Sequence, residues 1–296
     1  LGDVYKRQIF RCLESKVLSK PSFLTRITLK HIQRVASQGV KYIEFYWNWT
    51  GLKHFMSYDE ARQAINEGIR QGLQRYGVVA RSIPSIDRED TPEAAVELVE
   101  EMIRHPDQYT IGIGIDYRET NHEPENFWKA FKMAKDAGFK ITIHAGEFGE
   151  HWRNVETAMK LLGADRIDHG YTIIDSPELV EEAKAANMHF AVVPTNSYYL
   201  RTLSDEEWAI KHPVRKMVEL GLKVFPNSDD PTMHHISISE SWLLMHNWLD
   251  FTLPQLRKML ENSIEAAWVS DEQKAAWKKE WLEEFDRLAA ELPPVN

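Results

Sequence analysis

Ile141-Thr142-Ile143-His144-Ala145-Gly146-Glu147 reads as a buried strand that stops at a histidine and turns back on a glycine. Arg166-Ile167-Asp168-His169-Gly170 repeats that design, an apolar run ending in His. Val224-Phe225-Pro226-Asn227-Ser228-Asp229-Asp230-Pro231 ends a third strand in paired acids. Three strand ends that each deliver imidazole or carboxylate groups imply one site at one rim of a barrel.

Outward from those stretches, strands and helices alternate. Lys41–Trp47 is an apolar, aromatic strand. Tyr58–Arg75 has helical spacing through Ala61, Ile65, Ile69 and Leu73, and Val78–Ile86 is the next strand. Thr91-Pro92-Glu93 marks a helix start, with Thr as N-cap and Pro at the first helical position. Thr110–Tyr117 is a strand, and Pro124–Ala137 is an amphipathic helix closed by Gly138. A helix over Arg153–Leu162 leads to the strand before His169. Ser176-Pro177-Glu178 opens another helix, His189–Val193 is a strand, and one helical stretch over Asp205–Leu220 leads into Leu222–Phe225. Ser239–Trp248, Pro254–Trp268 and Asp271–Leu292 read as consecutive helices whose Trp268, Trp277 and Trp281 cover the flank.

Such alternation pairs strands in parallel with helices outside. The expected fold is α/β, a TIM (β/α)8-type barrel with C-terminal helices, in one domain over 9–296. Seven strands are counted where this barrel has eight, and residues before Lys41 look helical, with Leu29, Ile32, Val35 and Ala36 on one face. The expected first strand therefore lies upstream of residue 1. The chain opens without Met, and Asp3-Val4-Tyr5-Lys6-Arg7-Gln8 resembles a translated transposon-end sequencing adapter. Residues 1–8 are set aside as non-native sequence.

Composition excludes several function classes. Of 296 residues, 43% are hydrophobic and 27% charged, the balance of a globular domain. A net charge of −9 opposes binding to a nucleic-acid backbone, which needs clustered Lys and Arg. No apolar run reaches membrane-spanning length, and no secretory signal is visible. One cysteine, Cys12, fits a cytoplasmic setting and excludes a thiolate-rich zinc site.

The residues themselves suggest chemistry. His144, at a strand end, can bind Zn²⁺ as a neutral imidazole. Gly146 turns the chain so that Glu147 points over the same mouth, where a partly desolvated carboxyl can hold a proton and donate it. His169 is a candidate general base or stabiliser of a metal-activated water. Asp229 and Asp230 are adjacent, so from extended backbone they face opposite ways, one toward a metal and the other toward substrate. Gly146 joins Asp230 on the substrate side.

These stretches, with Pro194-Thr195-Asn196-Ser197, resemble the adenosine deaminase family of metal-dependent hydrolases, in order and separation over roughly residues 28–270. The resemblance implies that His144 and Asp229 bind zinc. It implies that Glu147 protonates the purine ring nitrogen next to the attacked carbon, that His169 helps deprotonate the water, and that Asp230 bonds the imidazole edge of the purine. The implied reaction is hydrolytic deamination of adenosine or a related aminopurine, with adenine deaminase or a non-catalytic nucleoside-binding relative as alternatives. The implied partner is a small purine or purine nucleoside, with no nucleic acid and no membrane; oligomeric state is left open.

Two departures stand out. The family carries a metal-binding His-x-His on its first strand, and no His-x-His occurs in this sequence; His234-His235 is adjacent and follows the last strand. Weak or absent metal binding is therefore expected of the chain as written, and activity of a longer parent. After Asp116, bulky polar residues Tyr117–Pro124 replace the small, Gly-containing segment of nucleoside-acting members. Trp47, Trp49 and His54 are further candidates to line the pocket.

Overall fold

The structure is a computed structural model that describes residues 8–9, 12–13, 15–196, 199 and 202–292. Residues 1–7 and Ser197 lie outside the described residues. The chain forms two compact units, Leu1–Ile143 with Leu161–Gly163, and His144–Lys160 with Ala164–Asn296.

The first unit begins with α1 (Pro21–Ala36), β1 (Tyr42–Trp47), α2 (Tyr58–Tyr76), β2 (Val79–Asp87) and α3 (Pro92–Arg104). It continues with β3 (Gly112–Asp116), a 3-10 turn at Pro124–Phe127, α4 (Trp128–Asp136) and the start of β4 (Lys140–Ala145). Neighbouring strands pair in parallel, with Tyr42 opposite Val79, Ser85 opposite Gly114 and Gly112 opposite Lys140. Helix α1 buries Leu24, Thr28, Ile32 and Val35. It comes close to α2 because Gly68 and Gly72 carry no Cβ: one added at either would lie 2.6 Å from Thr28 Cβ or Ile32 Cδ1. Helix starts follow the caps in the sequence. Ser57 and Glu60 close a capping box on α2, and the Thr91 side chain accepts from Ala94 N.

Trp47 and Trp49 are core residues of this unit. Tyr58 stacks on Trp47 at 5.4 Å and meets Trp49 edge-on at 5.9 Å. The loop after β3 buries Glu119 and carries left-handed backbone at Tyr117 (φ 68°) and Asn121 (φ 63°).

The second unit holds the end of β4, α5 (Arg153–Lys160), β5 (Arg166–His169), a 3-10 turn at Tyr171–Asp175, α6 (Pro177–Ala185) and β6 (His189–Val192). Then come α7 (Asp205–Lys211), α8 (Pro213–Glu219), β7 (Lys223–Pro226), α9 (Ile238–Asn247), α10 (Leu253–Ala266) and α11 (Asp271–Ala290). Strands β5, β6 and β7 are parallel, with Ile167 opposite Phe190 and Phe190 opposite Val224. All four residues of β5 and of β6 are buried, as expected of parallel strands covered on both faces.

One expected element divides. The stretch read as a single helix over Asp205–Leu220 is two helices broken at His212-Pro213. Proline disfavours helical backbone in the residue before it, and His212 is extended (φ −60°, ψ 124°). The tail helices match expectation within a few residues. Trp277 stacks on Trp281 at 4.7 Å, and Arg257 reaches Asp286 with two hydrogen bonds. No helix among the described residues is long and apolar enough to cross a membrane.

Candidate active site

Four strand ends of the second unit supply the site. His144 lies at the end of β4, with Glu147 beyond it; His169 is the last residue of β5; Asn196 follows β6; Asp229 follows β7. Gly146 takes φ 66°, and a Cβ there would lie 2.5 Å from Thr172 Oγ1 and 2.9 Å from Val155 Cγ2. Only glycine fits that tight turn, which brings Glu147 back over the strand ends. His169 and Asp229 also hold left-handed backbone, φ 68° and φ 54°. Such geometry costs of the order of 1–3 kcal/mol in a non-glycine residue and concentrates at functional sites.

Glu147, His169 and Asp229 each turn one potential ligand atom inward, and these atoms lie within 4.8 Å of one another. His144 stands edge-on to His169, ring centroids 4.7 Å apart. The two histidines and Asp229 thus gather at one place. Asp230, beside Asp229, is half-buried.

Hydrogen bonds orient the acid and the base. Asn196 Nδ2 donates to Glu147 Oε1 at 3.0 Å, and Glu147 Oε2 lies 3.6 Å from His169 Nε2. Tyr171 Oη donates to Val193 O at 3.0 Å and accepts from Val193 N at 2.9 Å. Its single hydrogen is thereby used, so the 3.2 Å contact with His169 Nδ1 is bonding only if Nδ1 carries the hydrogen. That tautomer turns an Nε2 lone pair toward Glu147.

Burial pulls the His144 imidazole down, but Asp168, with Glu147 and Asp229 behind it, outweighs burial and pushes it up to about 9. Burial also pushes the Tyr171 phenol well above its ordinary range, so it stays protonated. Imidazole and carboxylate donors are those a divalent metal such as zinc takes, and the negative field that favours His144⁺ would equally favour a cation. The residues present therefore fit a divalent metal.

Sequence reasoning singled out His144, Glu147, His169 and Asp229, which the structure brings together, but gave no role to the groups packed against them. Asn196 was visible only as part of a family stretch. Tyr171 and Asp168 drew no role, although both flank a candidate base within two positions.

The adenosine deaminase family profile matches residues 7–283. An adenine deaminase from Marinomonas sp. is 29% identical over 249 residues, covering 83% of this chain and 72% of that protein. A zinc-bound amidohydrolase from B. ambifaria is 48% identical with a TM-score of 0.93, over 95% of this chain and 78% of that one. The adenine deaminase of Arthrobacter aurescens, 23% identical, shares the fold with a TM-score of 0.86 over 96% of this chain and 84% of its own. The fold class is the α/β, TIM-barrel type expected from the strand–helix alternation, with seven parallel strands among the described residues. On the family match and these likenesses, the chain belongs to the adenosine deaminase family.

Proposed function

We propose that the chain carries out hydrolytic deamination of an aminopurine or purine nucleoside. Water adds its oxygen to the amine-bearing ring carbon, the carbon–nitrogen bond breaks, ammonia leaves and the oxygen stays on the ring. The observation that carries this reading is the convergence of Glu147, His169 and Asp229 within 4.8 Å. Family membership and relatives named for deamination of adenine support it.

His144 and Asp229 are the proposed protein ligands of zinc. When bound, a divalent cation supplies the Lewis acidity that makes water a competent nucleophile near neutral pH. His169 takes the proton from the attacking water through Nε2, the nitrogen left as acceptor by the Tyr171 contact. Glu147, held by Asn196, donates its proton to the ring nitrogen beside the attacked carbon, so that the charge arriving on the ring ends as a neutral N–H. Asp230 accepts from, or is bridged to, the imidazole edge of the purine, and Gly146 serves the substrate side through the turn that sets Glu147. Two protein ligands are few for zinc, so weak metal affinity is proposed for this chain. A single cysteine is in keeping with a cytoplasmic setting.

The test is ammonia release from a panel of adenine, adenosine and N6-substituted aminopurines, with zinc in excess over the chain. Ammonia and the matching oxopurine are expected in equal amounts. A folded, zinc-loaded chain inert toward the whole panel would overturn the reading.

A further inference from the structure

Asp168 takes no part in the chemistry above, yet it sits against the imidazole that the metal reading needs. Its Oδ2 lies 3.3 Å from His144 Nδ1, and both side chains are buried. Its Oδ1 faces Arg166 Nε at 3.9 Å. Arg166 and Asp168 are two positions apart in β5 and so share one face of the strand. The Arg166 guanidinium lies over the Trp268 ring, 4.3 Å from the centroid, and its Nη1 donates to Ala266 O at 3.4 Å. A buried row therefore runs from the end of α10 through Arg166 and Asp168 to His144.

Stability alone gives a poor account of this row. A buried ion pair recovers little beyond its own desolvation, and apolar side chains of similar volume often do as well. Orientation gives a better one. An imidazole that offers one nitrogen to a metal commonly donates its other N–H to a carboxylate, which fixes the ring and raises its basicity. With Nδ1 turned to Asp168, Nε2 is the nitrogen on the far side of the ring. The edge-on contact with His169 restrains the ring from a second direction.

The geometry points to Asp168 as the positioning residue of His144: it accepts the Nδ1 hydrogen, anchors the ring through Arg166, and leaves Nε2 as the nitrogen presented to a divalent cation. Only the last of these steps rests on the metal reading proposed above.

The experiment uses the metal-free chain with ¹⁵N-labelled histidine. Expected is a slowly exchanging, low-field Nδ1 proton, assigned to His144 by its loss in H144Q. D168A should abolish it. D168N, which keeps the volume and a weaker acceptor, should move it to higher field, and serves if D168A does not fold. In competition with a chelator, D168A should weaken zinc binding about 10–100-fold. A wild-type spectrum without the low-field proton, a resonance unchanged in D168A or D168N, or unchanged zinc affinity in D168A would overturn the proposal. If the wild-type chain shows the proton but binds no zinc, the metal reading fails, while loss of the proton in D168A still establishes the hold of Asp168 on the ring.

Discussion

Asn196 Nδ2 donates to Glu147 Oε1 from a residue only 1% exposed, so the proposed acid has one oxygen tied down and the other facing His169. N196A removes that tie and leaves a buried carboxyl short of a partner. A hydrogen bond between neutral groups is worth about 0.5–1.5 kcal/mol, so kcat should fall about 2–10-fold with a smaller change in KM. Steady-state kinetics checks the split. Equal kcat in the variant would remove Asn196 from any positioning role.

Substitution of the acid itself should cut deeper. In E147Q the amide oxygen can still accept from Asn196 and the amide nitrogen can face His169, so the fold should survive. No proton is then available for the ring nitrogen. General acid catalysis contributes about 10²–10⁴-fold, and kcat should drop by that factor while zinc affinity holds. Activity within a few-fold of wild type would assign the proton to another group.

His212 links stability to pH. Its Nδ1 accepts from Val214 N at the start of α8, and burial pulls the imidazole down to about 3 from an ordinary 6.5. The neutral form is the one the fold favours. Above pH 6.5 both folded and unfolded states are neutral and stability is flat. As pH falls below 6.5 the unfolded chain takes up a proton that the folded chain refuses until about pH 3, so stability is lost through that window. The full shift corresponds to at most about 5 kcal/mol. H212N keeps a cap acceptor without titrating, and urea unfolding of this variant at several pH values should show a shallower decline. An identical slope would exclude His212 as a source.

Gly146 tests the turn that carries the acid. An alanine there adopts φ 66° and places its Cβ 2.5 Å from Thr172 Oγ1. The backbone term is about 1–2 kcal/mol, with the steric clash added to it. G146A should unfold at lower denaturant, and trimming Thr172 to Ala alongside it should recover part of the loss. A midpoint equal to wild type would contradict the close approach.

Strand ends and caps were legible because they depend on neighbours in sequence. The apolar run before His144, the Thr91 and Ser176 caps and the tail helices needed only periodicity and local hydrogen bonding. The break at His212-Pro213 was equally local, but the helical spacing on both sides hid it. The supporting groups of the site were not legible in this way. Asp168 matters through His144, twenty-four positions earlier, and Asn196 through Glu147, forty-nine positions earlier. Such pairings arise from parallel register, which no local pattern specifies. Tyr171 is two positions from His169, yet its role depends on the Val193 backbone just past the end of β6.

The left-handed conformations of His169 and Asp229 have a consequence for how this chain would respond to selection. A glycine at either position relaxes the main chain and erases a functional group in the same event. Screens that reward heat tolerance alone should therefore enrich inactive variants at these two codons, and their depletion under a screen for turnover would mark both as places where robustness and chemistry compete.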